Sequence, residues 1–86
     1  MAQKKLQKKP DPEFELFIEK IGKALKKLRE ERGYTNYENF AFDNNIARSQ
    51  YGKYEKGTED LRLSSLYKVI KAMNISFEQF FHEIDE

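Results

Sequence analysis

The stretch Asn36–Gly57, NYENFAFDNNIARSQYGKYEKG, decides the fold. Asn36 can cap a helix, with Asn39 at its third position. Phe40, Ala41 and Asn44 then mark a short helix of about 37–44. Asn44-Asn45 is its stop, because Asn tolerates positive φ better than other residues that carry a Cβ. Ile46 follows as a buried anchor that plugs the turn. Arg48 through Lys56 reads as a second short helix. Tyr51 and Tyr54, three apart, hold one of its sides against a core, and Gly57 ends it. Ala41 is small where the second helix must cross the first closely. The stretch is therefore two helices joined by a tight turn.

The flanks extend this pattern. Asp11-Pro12-Glu13 is a helix start: a capping acid, a proline that fits the first helical position, and acids at the positive end of the dipole. Phe14, Phe17, Ile18, Ile21, Leu25 and Leu28 then keep to one helical face. Gly33 stops this first helix, which spans about 12–32. Beyond Gly57, Thr58-Glu59-Asp60 is an acidic loop. Leu63, Leu66, Tyr67, Ile70 and Met73 predict a fourth helix that ends at Asn74. Ser76 and Gln79 form a capping box that opens a fifth, with Phe77, Phe80, Phe81 and Ile84. No run alternates as a strand would, and no repeat is present. The expectation is an all-α fold of five helices in a single domain of residues 11–86. The lysine-rich residues 1–10, MAQKKLQKKP, read as a flexible basic arm.

Composition narrows the function. The chain has 86 residues, 16 Lys+Arg, 15 Asp+Glu, one His and no Cys. That length holds one domain with little stability to spare. Without Cys there is no disulfide scaffold, thiolate nucleophile or Cys-ligated zinc. A lone His82 near the end reads as a surface residue and not as a metal ligand. The carboxylate pairs Glu30-Glu31 and Asp85-Glu86 lack a metal-binding loop. No enzyme, cofactor or metal is expected. No apolar run is long enough for a membrane span and none suits a secretory signal, so a cytoplasmic protein is expected. The net charge of +1 hides an asymmetry: residues 1–10 carry +4 and residues 58–86 carry −3.

The side of the 48–56 helix opposite Tyr51 and Tyr54 shows Arg48, Ser49, Gly52, Lys53 and Lys56. Short, polar and basic side chains with no apolar member suit the major groove of DNA, where base edges offer donors and acceptors between phosphate rims. A solvated face is the plain alternative. The tyrosines 51, 54 and 67 and the phenylalanines read as core and not as stacking platforms.

These residues resemble the Xre/Cro/phage-repressor family of helix-turn-helix DNA-binding domains. The resemblance covers about residues 18–81, in LKKLREERG (25–33), FAFDNNIARSQYGKYEKG (40–57), LSSLYKVIKAMNIS (63–76) and FEQFF (77–81). It implies a lambda-repressor-like domain, here with a first helix extended at its N-terminus. It assigns base readout to Arg48, Ser49, Gly52 and Lys53. It assigns DNA-backbone contacts to Asn36, Tyr37, Lys56 and Arg62, with Gln50 at the edge reaching a phosphate or a base. It pairs Arg29 with Glu55 as a structural ion pair. Ala47 stands where the family has a Ser or Thr cap. The 58–60 loop is acidic where basic residues are frequent, so it should repel phosphate or face away.

The function implied is a sequence-specific DNA-binding transcriptional regulator acting as a homodimer on a palindromic operator in double-stranded DNA. Two alternatives use the same fold: an antitoxin with a toxin protein partner, and a protein-interaction module that has lost DNA binding. The first-helix extension, with Phe14, Leu16, Phe17 and Ile18, either packs on the fifth helix or stays open as a two-fold interface.

Overall fold

The computed structural model describes residues 11–85. The expected arm at residues 1–10 lies outside the described residues, as does residue 86. Among those described there are five helices and no strand: α1 (Pro12–Glu31), α2 (Tyr37–Asp43), α3 (Arg48–Lys56), α4 (Leu63–Ala72) and α5 (Phe77–Asp85). Each expected helix is present, with ends within one or two residues of the sequence reading.

Local chemistry sets these ends. The Asp11 carboxylate accepts from the amides of Glu13 and Phe14, at 3.0 and 3.4 Å. The Asn36 side chain accepts from the Asn39 amide at 2.8 Å. Ser76 and Gln79 satisfy each other's amides at 3.0 and 3.1 Å, so two otherwise orphaned donors are used. Asn45 takes φ 58° in the turn between α2 and α3, and Gly57 takes φ 72° after α3. The Ile46 amide donates back to the Ala41 carbonyl at 2.8 Å, which closes the α2–α3 turn.

Helix α1 organises the rest. Its inward residues Ile21, Ala24, Leu25 and Leu28 share one core with Phe40, Ala41, Tyr51, Tyr54, Leu66, Val69, Ile70, Met73, Phe80 and Ile84. Gly22 lets α1 touch the end of α3 backbone to backbone. A Cβ there would lie 2.4 Å from the Glu55 carbonyl oxygen and 2.8 Å from that of Tyr54. A mid-helix glycine normally costs about 1 kcal/mol against alanine, and this close approach is its reason. Further along, Arg32 donates to the Met73 carbonyl at 2.7 Å, tying the end of α1 to the end of α4. Lys27 pairs with Glu83 and ties α1 to α5.

Several aromatic and aliphatic residues expected in the core are instead exposed. Phe42 is 75% exposed and Leu63 76%, while Tyr67, Phe14, Phe17 and Phe81 lie between 40 and 52%. The helical period explains Phe42 and Tyr67. Each sits one residue past a fully inward neighbour, Ala41 or Leu66, and so turns about 100° off the core face. Phe14 and Phe17 belong to the first turns of α1, which run ahead of Ile18, where burial begins. Ile84 is buried and not at an open surface. Ile46, expected as a buried anchor, is only half-buried, although it packs against the core.

Candidate nucleic-acid interface

Helix α3 is fastened from behind. Arg29 of α1 is 3% exposed. It donates through Nε and Nη2 to the two carboxylate oxygens of Glu55, both at 2.8 Å. Its remaining nitrogen Nη1 donates to the Tyr34 carbonyl at 2.8 Å. This is a bidentate, charge-assisted pair, stronger and more directional than a single contact. Glu55 raises the pKa of Arg29 through these hydrogen bonds, against the lowering effect of burial. The Tyr51 ring is fully buried in front of this pair, and its hydroxyl has no hydrogen bond of good geometry. Burial, and next the neighbouring Glu55 carboxylate, push that hydroxyl well above the usual tyrosine range. Tyr34 donates to Asp43 at 2.9 Å, which raises its own pKa and fastens the end of α2 to the loop after α1.

With that side locked, the opposite side of α3 faces outward. Arg48, Ser49, Lys53 and Lys56 are all exposed. Arg62, the N-cap residue of α4, is also exposed. Gln50 is exposed and borders a small hollow with Ser65 and Lys68, on the flank toward α4. Ala47 makes no side-chain cap hydrogen bond. The 48–56 segment therefore presents donors and positive charge on a rigid helix, a chemistry that matches guanine acceptors and phosphates.

Gly52 departs from the sequence expectation. It is buried and does not form part of the open face. The half-buried Tyr37 ring lies over it, and a Cβ at Gly52 would come within 2.7 Å of that ring. The same ring also lies 6.4 Å from that of Tyr51. Tyr37 thus packs α2 on α3 through a gap that glycine leaves open. Asn36 is exposed at the N-terminus of α2, with its side chain engaged as the cap.

Sequence reasoning missed two features. Gly22 was legible as an isolated glycine in a helical pattern, which usually has a packing cause. The second is a contact on the open face: Lys53 Nζ lies 3.9 Å from Glu59 Oε2 of the acidic loop. Among the described residues no cluster of His, Cys, Asp or Glu could hold a metal ion. No helix there is long and apolar enough to cross a membrane.

Comparison with known proteins agrees with this geometry. A helix-turn-helix family model matches residues 25–80, a span from mid α1 into α5. The control protein C.MunI of a Mycoplasma species is 30% identical over 67 residues, covering 78% of this chain and 90% of that protein. The wild-type restriction-modification controller protein C.Esp1396I superposes with a TM-score of 0.71 at 26% identity, covering 79% of this chain and 87% of that one. The same controller protein, as a tetramer in complex with its natural 35 base-pair operator, gives a TM-score of 0.68 at 27% identity, covering 81% of this chain and 96% of that one. The chain belongs to the helix-turn-helix family, in its Xre/Cro branch.

Proposed function

We propose that this protein is a sequence-specific DNA-binding transcriptional regulator that lays α3 in the major groove. The observation that carries the reading is the open polar face of α3, with Arg48, Ser49 and Lys53 exposed while Arg29 and Glu55 lock the helix from behind. A reading helix must be rigid as well as chemically matched, because a bidentate base contact tolerates little misplacement. Arg48, Ser49 and Lys53 read bases in this account. Lys56 and Arg62 hold phosphates, with Asn36, Tyr37 and Gln50 at the edges. The likeness to controller proteins supports a regulator of restriction-modification genes, acting in the cytoplasm and without catalysis of its own. It gives no support to a toxin partner.

The protein acts as a homodimer. Phe14, Phe17, Leu63, Tyr67 and Phe81 are five of the seven large apolar side chains that are exposed among the described residues. Four of them line one groove of about 230 Å³ between the start of α1, Leu61, the start of α4 and α5. Tyr67, Phe77 and Phe81 continue it as a stack, with ring centres 6.0 and 6.2 Å apart. So much contiguous apolar surface on a small domain marks an interaction site. A second copy fits it best, because a two-fold operator needs two reading helices about 34 Å apart.

The test is selection of bound sites from random duplexes, followed by binding at several salt concentrations. A recovered palindromic motif, bound far more tightly than scrambled DNA, is the expected result. Recovery of no motif, with salt-insensitive or absent binding, overturns the proposal and favours a protein-interaction module.

A further inference from the structure

We propose that Tyr37 of α2 reads a base, its hydroxyl standing on the side of α3 where Gly52 offers no side chain. The inference rests on the DNA-binding reading of α3. It moves Tyr37 from the edge of the interface, where the family resemblance puts it, onto the reading face. Gly52 lies one helical turn from both Arg48 and Lys56 and next to Lys53, so its position belongs to the polar side of α3. A Cβ there would lie 2.7 Å from Tyr37 Cε1, 2.8 Å from Cζ and 3.0 Å from the hydroxyl oxygen. It is the tip of the ring, not its root, that fills the gap. The hydroxyl therefore takes up space that a polar side chain at position 52 would occupy.

Two further observations favour a role in reading. The Tyr37 ring packs on the core and lies 6.4 Å from the ring of the buried Tyr51. With only two side-chain torsions and these contacts, it carries its hydroxyl at a fixed place, as a group aimed at a base must be carried. Among the described residues nothing hydrogen-bonds this hydroxyl, and unlike the Tyr51 hydroxyl it is not sealed from solvent. Its donor and its acceptor capacity are both open. Phosphates line the rims of the major groove, and base edges form its floor. The Gly52 gap draws the hydroxyl off the end of α2 and over α3, onto the side that Arg48 and Lys53 share. One base pair in each half-site is then read from α2.

The experiment repeats the selection from random duplexes with Tyr37→Phe. It also compares this variant with the intact protein on the intact protein's operator and on a scrambled duplex of equal length. Phe keeps the ring and its packing, so thermal unfolding should be unchanged. Operator affinity should fall about fivefold, the loss expected of one directed hydrogen bond, with scrambled DNA bound as before. The selected motif should lose its preference at one position in each half-site. Gly52→Ala, whose methyl would press the ring aside, should bring a similar loss on the operator and add little to Tyr37→Phe. An equal loss on both duplexes marks a phosphate contact and overturns the inference, as do additive losses from the two substitutions. If the intact protein selects no motif, the DNA-binding reading has failed and this inference with it. A motif that Tyr37→Phe leaves unchanged overturns this inference alone.

Discussion

The two halves of α1 carry the same apolar spacing and meet different fates. From Ile18 to Leu28 the inward residues are buried, and Arg29 closes a bidentate pair with Glu55. From Phe14 to Phe17 the apolar side chains stay about half open, with Phe14 and Phe17 beside Leu63 and Phe81 in one groove. Hydrophobic burial scales with area removed from water, wherever the covering surface comes from. The C-terminal half finds its cover within the chain. The N-terminal half is left partly uncovered, and in the proposed dimer a second copy covers it. One half of the helix fastens α3 from behind, and in the proposed dimer the other half would set where its twin lies.

Substitutions should separate the two halves. Arg29→Ala should cost about 3 kcal/mol or more in urea unfolding, because Glu55 is left charged and buried. For a domain of this size that is a large share of its stability. Replacing Arg29 and Glu55 together with apolar residues should cost clearly less. If Arg29→Ala costs under about 1 kcal/mol, the pair is not what holds α3.

Gly22→Ala tests the same contact by volume. Helix propensity alone predicts a gain of about 1 kcal/mol. The α1–α3 approach predicts a net loss of about 1–3 kcal/mol, since the new methyl meets backbone and not a movable side chain. A stabilised variant would contradict the packing account.

The buried Tyr51 hydroxyl makes the locked half sensitive to alkali. Its pKa is raised in the folded state from an ordinary value of 10.0. The unfolded chain therefore loses this proton first as pH rises. The contribution is fully present below about pH 10 and should fall by about 1.4 kcal/mol per unit above it. Tyr51→Phe should remove that part of the decline, as unfolding at pH 9 and pH 11 will show. An unchanged slope would mean that the hydroxyl ionises without leaving the core.

At the open end, Phe14→Gln with Phe17→Gln should cost the monomer about 1–3 kcal/mol, because both residues are about 40% exposed and bury only part of their area in the groove. Sedimentation should nonetheless show loss of the dimer. A variant that stays dimeric would move the interface elsewhere.

Most of the fold was legible because its decisive signals are local. Asp11-Pro12, Asn36, Asn45, Gly57 and the Ser76–Gln79 box act over three or four residues, a range sequence shows directly. What was not legible depends on distant partners. Gly52 shares a helical face with Arg48, and nothing near it in sequence tells that Tyr37 covers it. Phe42, Leu63 and Tyr67 are apolar, yet whether another element reaches them is a tertiary matter. The acidic loop was plain as charge, but that it comes near Lys53 shows only in the folded chain. For the site, the resemblance supplied the pairing of Arg29 with Glu55, which spacing alone could not have done.

The division of roles on α3 is tested most directly by comparing Arg48→Ala with Lys56→Ala on the selected operator and on a scrambled duplex across a salt series. The account predicts that Arg48→Ala loses about 1–3 kcal/mol on the operator with little change on scrambled DNA. It predicts that Lys56→Ala weakens both alike and flattens the salt exponent by about 0.9. If the two variants behave the same way, with operator preference intact in both, α3 does not read bases through Arg48 and the central claim is wrong.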